Sequence, residues 1–167
     1  QLDVGGVLEK SSNIGASKIA LSLDPKLLWR VFRDCGFGST SEVLLPGEAY
    51  GRLEDYPNWH ELDQAILAYG YGMSVTAIQL ARAYMTIAND GLIQPVRIVR
   101  TAEPPQSRRA IKRSTAQAVR TMLTRVVEHG TAQDAAIPGY SVAGKTGTVY
   151  KHTGKGYSDD RYMAIFV

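Results

Sequence analysis

Apolar residues recur at helical spacing over the first part of the chain and predict three helices. The first two are short and flank the polar segment KSSNIG, where Ser12 or Asn13 suits the N-cap of the second helix. The third follows Asp24 as N-cap and Pro25 at the first helical position, and Gly36 ends it. The apolar residues that define these helices are Val4, Val7 and Leu8, then Ile14, Ile19 and Leu21, then Leu27, Leu28, Val31 and Phe32.

Residues 36–60 are rich in glycine, serine and proline and are predicted to form an irregular connection. A strong helix signal follows, in which Thr76 and Gln79 have capping-box spacing and Gly91 ends the pattern. Its apolar positions repeat at helical intervals and are Ile78, Ala81, Tyr84, Met85 and Ala88. Such a stripe is typical of a helix face that packs on a core.

Residues 94–102 alternate between apolar and polar side chains, which is typical of a strand. Ser114 and Gln117 then have capping-box spacing and predict the start of another helix. Its apolar stripe consists of Val119, Met122, Leu123, Val126 and Val127. His129 and Gly130 are expected to close this helix, as a cation at the negative end of the dipole followed by a C′ glycine.

The chain ends in two β-prone segments, residues 139–151 and 161–167, which predict a hairpin across residues 152–160. Helices come first and paired strands last, so the pattern favours an α+β fold over alternating βαβ units. Because a two-stranded hairpin is marginally stable alone, we expect further strands from segments outside these residues.

Composition places the chain among globular proteins, with 44% hydrophobic residues and an ordinary share of charged ones. The net charge of +3 does not suggest a nucleic-acid partner. One basic cluster is interpreted as a solvated face before a helix; it consists of Arg108, Arg109, Lys112 and Arg113. Cys35 is the single cysteine, so no intramolecular disulfide is possible, and we interpret it as a small buried hydrophobic residue.

Two polar segments far apart in the chain carry the candidate chemistry. Ser11, Ser12 and Asn13 lie at a predicted helix boundary, and residues 145–148 read Lys-Thr-Gly-Thr in a predicted strand. Each segment alone is typical of a helix cap or a strand edge. The two together, in this order, are a signature of the penicillin-recognising serine enzymes, alongside a Ser-x-x-Lys nucleophile motif.

Three longer segments make this resemblance specific: VLEKSSNIGASKIALSL, YGYGMSVTAIQLARAYMTIANDG and IPGYSVAGKTGTVYK. They resemble the transpeptidase domain of the division-specific class B penicillin-binding proteins of Gram-negative bacteria, the penicillin-binding protein 3 group. The likeness covers nearly the whole chain. It implies a transpeptidase fold like that of penicillin-binding proteins and serine β-lactamases, with a helical cluster packed on an antiparallel sheet that is incomplete in this chain.

Ser11 and Asn13 match the Ser-x-Asn motif of that family. The resemblance implies that Ser11 relays protons toward the leaving amine, and that Asn13 holds the substrate amide and the lysine beside the nucleophile. Tyr71, together with Tyr69, either walls the substrate pocket or packs in the core.

Lys145, Thr146 and Gly147 match the Lys-Thr/Ser-Gly motif, and Thr148 follows it. The resemblance implies that the hydroxyls of Thr146 and Thr148 bind the carboxylate of a donor peptide or a β-lactam, and that Lys145 supplies positive potential. It also makes the Thr148 amide half of an oxyanion hole, and one such donor is worth about 3–4 kcal/mol. Gly147 is expected to let the substrate backbone lie along the strand.

The nucleophile motif of the family is absent from the sequence. No lysine has a serine three positions before it; the residues found there are Val7, Gly15, Leu23, Arg109, Val142, Thr148 and His152. In the family that motif lies upstream of Ser-x-Asn. We therefore expect residues 1–167 to be the C-terminal part of one transpeptidase domain, without the upstream Ser-x-x-Lys segment and without the last strand and helix. Lacking an activated nucleophile, this part alone is expected to be inactive.

The resemblance implies a serine D,D-transpeptidase that cross-links peptidoglycan at the septum. Its substrate would be a stem peptide ending in D-Ala-D-Ala, β-lactams would acylate it, and no cofactor would be needed. Further implied partners are divisome membrane proteins and the missing part of the domain. The implied location is the bacterial inner membrane, with one membrane-spanning segment and this domain in the periplasm. No metal site is predicted, because His60, His129 and His152 show no ligand spacing.

Several alternatives remain open from the residues alone. Within the same superfamily they are a β-lactamase or a D,D-carboxypeptidase. From other classes they are a non-catalytic binding module and a P-loop nucleotide binder, since GYSVAGKT formally matches phosphate-loop spacing. A true phosphate loop opens a helix, whereas the residues that follow Lys145 are β-branched and typical of a strand.

Overall fold

The computed structural model describes residues 1–43, 46–100, 102–103, 105–153 and 156–167, with the backbone alone at 151–153 and 156–160. The helices are α1 (Val4–Glu9), α2 (Asn13–Leu21), α3 (Pro25–Asp34), α4 (Glu61–Leu67), α5 (Ala77–Ala88) and α6 (Arg113–His129). The strands form two antiparallel pairs. Between α5 and α6, β1 (Leu92–Ile93) pairs with β2 (Arg108–Arg109), and after α6, β3 (Thr146–Thr153) pairs with β4 (Gly156–Phe166). The α+β prediction is confirmed.

The first three helices begin at capping residues. Ser12 Oγ accepts a hydrogen bond from Gly15 N at 3.1 Å, so Ser12 rather than Asn13 is the N-cap of α2. Asp24 caps α3 as predicted, through a 2.8 Å bond from Lys26 N. With six residues, α1 is too short to be stable alone, and its position depends on its packing against α2 and α6.

The core lies around the C-terminal half of α6. Val126, Val127 and Ala132 are buried there, and Leu8 and Val142 pack against them. This cluster joins α1, α6 and the segment that leads to β3, so it fixes the elements on either side of the two polar motifs.

Both ends of α6 differ from the prediction. The helix begins at Arg113, and its N-cap Lys112 makes no side-chain capping bond, so the capping box predicted at Ser114 and Gln117 is wrong. Gly130 is the C-cap residue with φ −105°, and not a C′ glycine in the left-handed region. Glycine is needed at this position because the α1 backbone lies very close: a Cβ on residue 130 would lie 2.6 Å from the Glu9 carbonyl oxygen.

Helix α5 buries its polar side. The capping box of Thr76 and Gln79 is confirmed. Gln79, Arg82 and Thr86 are buried while Ile78 and Met85 are exposed, so among the described residues the apolar stripe does not pack on a core. The polar side chains are buried because α5 lies beside the irregular connection, whose backbone carbonyls need hydrogen-bond donors. Gln79 Nε2 donates to the carbonyls of Ser39 at 2.6 Å and Tyr50 at 3.0 Å.

Replacing Gln79 with leucine is expected to lower the free energy of unfolding of the intact domain by about 2–3 kcal/mol, because the Ser39 and Tyr50 carbonyls and the Thr76 amide lose their partner at the buried Gln79 side chain. Urea denaturation measures the effect. The matched control is Gln117→Leu on the exposed side of α6. Equal stability of the two variants would show that the Gln79 amide does not hold the connection in place.

The strand predicted at residues 94–102 is wrong where the structure describes it; Thr101 lies outside the described residues. The Gln94 carbonyl accepts from Arg82 Nε at 2.8 Å, Pro95 has no N–H, and Val96 N donates to the Ser41 carbonyl at 3.2 Å. These groups are therefore satisfied by α5 and the irregular connection instead of by a strand partner.

Helix α4 was not predicted from the periodicity. Its first turn is closed by His60 N, which donates to Asp63 Oδ2 at 2.8 Å. The buried Gln64 then donates to the carbonyls of Ala20 at 2.7 Å and Leu23 at 2.9 Å, and so ties α4 to the end of α2.

The terminal hairpin is confirmed as an antiparallel pair, with Thr146 opposite Phe166 and Thr153 opposite Gly156. The strands extend into the loop predicted at 152–160, of which Gly154 and Lys155 lie outside the described residues. Cys35 is buried as predicted, and this burial raises the pKa of its thiol to about 11. Among the described residues, no helix combines the length and apolar character of a membrane span.

Candidate active site

The turn between α1 and α2 presents Ser11 in an unusual conformation. Its φ of 52° lies in the left-handed region, which costs a residue other than glycine about 1 kcal/mol or more. Backbone bonds hold it there, from Ser11 N to the Leu8 carbonyl at 3.1 Å and from Ser12 N to the Val7 carbonyl at 3.0 Å. The tight turn also needs Gly15, where a Cβ would lie 2.6 Å from Val7 Cγ2.

Strand β3 presents an open edge on the side away from β4. Lys145 and Val167 exchange both backbone hydrogen bonds, at 2.9 and 3.2 Å, and form a hydrogen-bonded pair. Because such pairs alternate along an antiparallel ladder, the N–H and C=O groups of Thr146 and Thr148 face away from β4. The Thr148 amide therefore points to the edge of β3 away from β4.

The two motifs meet through Lys145. Its Nζ donates to Ser11 Oγ at 2.8 Å, across 134 residues of sequence, and to the Thr146 carbonyl oxygen at 3.1 Å. Partial burial lowers the pKa of Lys145 from its ordinary value, because removing water disfavours the charged form. The arrangement places an ammonium group with a lowered pKa against a serine hydroxyl, as a proton relay requires.

Thr131 is a site residue that the sequence patterns did not single out. Its Oγ1 lies 3.0 Å from Thr146 Oγ1, and either hydroxyl can be the donor. The only signal for it in the sequence is its position directly after His129 and Gly130, which end α6. The contact links the segment directly after α6 to the first residue of β3.

A cavity of about 650 Å³ lies between α2, the segment after α4 and β3. The seven predicted site residues all border it: Ser11, Asn13, Tyr71, Lys145, Thr146, Gly147 and Thr148. The rings of Tyr69 and Tyr71 meet edge to face with centroids 5.7 Å apart, and both line the wall. The structure thus brings the predicted residues together, while their individual roles stay predictions.

Gly147 has a neighbour within its own hairpin. A Cβ at this position would lie 3.1 Å from Ile165 Cγ1 on β4, which is tighter than ordinary contact. Crowding against Ile165 is therefore one reason for glycine here, and room for a substrate backbone stays a prediction.

The phosphate-loop alternative is wrong in this fold. The segment from Gly139 to Thr146 leads into β3, whereas a phosphate loop must open a helix whose N-terminus faces the phosphates.

Comparison with known proteins agrees with this geometry. The family model for the penicillin-binding protein transpeptidase domain matches residues 1–167. The chain belongs to this family. Similar curated proteins include the probable peptidoglycan D,D-transpeptidases PenA of Neisseria flavescens, 37% identical over 99% of this chain, and PbpC of Pseudomonas aeruginosa, 40% identical over 99%. The chain spans 42% and 30% of the lengths of these two family members.

Solved structures of the family share the fold. The transpeptidase domain of Burkholderia pseudomallei penicillin-binding protein 3 is 49% identical, with a TM-score of 0.94 over 99% of this chain and 51% of that one. Penicillin-binding protein 3 of Mycobacterium tuberculosis, solved in complex with ampicillin, is 36% identical, with a TM-score of 0.91 over 98% of this chain and 40% of that one. The prediction of a penicillin-binding protein transpeptidase fold is confirmed.

Proposed function

We propose that the protein containing this chain is a serine-type peptidoglycan D,D-transpeptidase that works in septal cell-wall synthesis. The observation that carries the proposal is the 2.8 Å bond from Lys145 Nζ to Ser11 Oγ beside the open edge of β3. Membership of the transpeptidase family and the names of the relatives support it.

The cavity has groups suited to a short peptide with a terminal carboxylate. The hydroxyls of Thr146 and Thr148 and the ammonium of Lys145 bind that carboxylate, since charge-assisted hydrogen bonds are the strong ones. The peptide backbone pairs with the edge of β3, and the Thr148 amide donates to the oxygen that becomes negative during acyl transfer.

The reaction runs in two steps through a covalent ester. A serine hydroxyl from an upstream segment attacks the carbonyl of the penultimate D-Ala, an ester bond forms, and the terminal D-Ala leaves with a proton relayed through Ser11 and Lys145. The amine of a neighbouring strand then attacks the ester, forms the new amide and returns the proton to the serine. A β-lactam undergoes the first step in the same way, and its acyl ester on the serine is hydrolysed slowly.

The partners follow from the same proposal. β-Lactams bind here, in line with the M. tuberculosis relative solved with ampicillin and with aztreonam. The remainder of the domain packs on apolar side chains exposed on α2, α3 and α5, of which Ile14, Leu27 and Met85 are each more than half exposed. The protein lies in the bacterial inner membrane with this domain in the periplasm, and it works with divisome membrane proteins.

Labelling with a fluorescent penicillin tests the function. The full-length protein should take up one equivalent and keep it through denaturing electrophoresis, whereas the 167-residue chain alone should take up none, because it has no Ser-x-x-Lys serine. Unlabelled ampicillin added first should block the signal. Rapid loss of the label by hydrolysis would point to a β-lactamase, and labelling of the short chain would reveal a nucleophile within it.

A further inference from the structure

Helix α1 is attached to α6 by an ion pair directly before Ser11. Arg125 Nη2 lies 2.9 Å from Glu9 Oε2, and only 12% of the Glu9 side chain is exposed. Glu9 Oε1 also lies 3.3 Å from Lys10 Nζ. A Cβ on Gly5 would lie 3.1 Å from Arg125 Nη1, so the guanidinium lies close to a residue of the first turn of α1 as well as to the Glu9 carboxylate.

The two residues directly after α6, Gly130 and Thr131, contact α1 and β3. On one side, Gly130 lies so close to α1 that a Cβ would be 2.6 Å from the Glu9 carbonyl oxygen. On the other side, Thr131 Oγ1 is 3.0 Å from Thr146 Oγ1. The distance between Ser11 and Lys145 therefore depends on how α1 sits on α6.

We propose that Glu9 and Arg125 are positioning residues that hold α1 on α6 so that Ser11 stays within hydrogen-bonding distance of Lys145. This proposal rests on the proposed function, because it concerns the rate of the acylation that Ser11 and Lys145 support. Neither residue is among those that border the cavity in the described part of the chain, so both act through Ser11 and not on the substrate.

Glu9 carries the negative charge of the ion pair at neutral pH. Hydrogen bonding to Lys10, and after it to Arg125, holds the pKa of the Glu9 carboxyl below its ordinary value, so Glu9 is ionised at neutral pH. Because α1 has six residues, it has little stability of its own to resist a shift once the pair is lost. A misplacement of about 1 Å at a reacting group can cost about a hundredfold in rate.

The test measures two constants for a fluorescent penicillin in the full-length protein: the rate constant of acylation and the dissociation constant of the complex that precedes it. Arg125→Met is expected to reduce the acylation rate constant about tenfold and to change the dissociation constant less than twofold. Arg125→Lys should restore most of the rate, because it keeps the cation beside Glu9.

Glu9→Gln keeps the shape of the side chain and removes the charge, so it tests the pair with little risk to folding. It should lower the rate constant as Arg125→Met does, and the double variant should be no slower than either single one. The control is Arg52→Met, which breaks the exposed pair of Arg52 and Glu54 at 3.2 Å, away from the cavity lining.

Two results would overturn the proposal: an unchanged acylation rate constant in both Arg125→Met and Glu9→Gln, or losses that match only a lower melting temperature. Failure of the unmodified protein to take up the label would count instead against the proposed function, so the two failures are distinguishable.

Discussion

Replacing Lys145 with alanine in the full-length protein should reduce the second-order rate constant of acylation by a labelled penicillin about a thousandfold. The substitution removes the donor to Ser11 Oγ at 2.8 Å and the donor to the Thr146 carbonyl at 3.1 Å. It also removes the cation beside the hydroxyls proposed to bind the carboxylate. General acid–base catalysis alone is worth about 10²–10⁴ in rate.

Two companion variants separate the chemistry of Lys145 from its charge. Lys18→Ala removes an exposed lysine of α2 and should leave the rate unchanged. Lys145→Arg keeps the positive charge but changes its geometry and its proton affinity, and it should recover only part of the rate. A rate close to that of the unmodified protein in Lys145→Ala would remove Lys145 from the mechanism.

The pH dependence of the acylation rate constant tests the same residue, because the direction of its change is predicted. Burial lowers the pKa of Lys145, so its charge is lost at a lower pH than that of an ordinary lysine. The acylation rate constant should therefore fall as pH rises through that lowered pKa, and Lys145→Arg should move this decline to higher pH. A decline at the same pH in both proteins would assign it to another group.

The residues that border the cavity were predictable because the two motifs are local in sequence. Ser11 to Asn13 and Lys145 to Thr148 are two short runs, and each carries its residue types in a fixed order. What the sequence could not supply is the contact across 134 residues between Lys145 and Ser11, which depends on how α1 and β3 meet at the end of α6. Thr131 escaped notice for the same reason, since its partner Thr146 is a neighbour only after folding.

Helix and strand predictions succeeded where local signals agree with the packing. The caps at Ser12, Asp24 and Thr76 are satisfied by backbone groups a few residues away, so tertiary contacts do not change them. The apolar periodicity of α5 did not indicate the side that is buried among the described residues, because the irregular connection offers carbonyls and not apolar side chains to pack against. Gln79 and Arg82 are buried as donors to carbonyls of Ser39 and Thr40 in that connection, which hydrophobic periodicity does not detect.

The strand predicted at residues 94–102 failed for a related reason. Alternation of apolar and polar residues predicts a strand only if a partner strand is available. Here the Gln94 carbonyl accepts a hydrogen bond from Arg82, and β1 ends at Ile93, which lies opposite Arg108 of β2. The same physics explains the success at β3, where residue 146 onward finds β4 as its partner.

Proline at position 148 should lower the acylation rate constant of the full-length protein by about 10²–10³, the range found when an oxyanion-hole donor is removed. The strand register lets this substitution remove one edge-facing amide and nothing else from the hydrogen bonding of the hairpin. Lys145 and Val167 form a hydrogen-bonded pair, so Thr148 opposite Ala164 is not in one, and its N–H faces the open edge. Proline therefore removes the amide donor without removing a ladder bond to β4.

The matched variant Thr148→Val keeps the amide and removes only the hydroxyl. It should weaken binding of the penicillin carboxylate and leave the acylation rate constant within about tenfold of the unmodified protein, since one hydrogen bond to a charged group is worth about 1.5–3 kcal/mol. Near-UV circular dichroism checks that β3 and β4 stay paired in both variants. If Thr148→Pro is acylated as fast as Thr148→Val, the donor that stabilises the oxyanion lies elsewhere than on the edge of β3.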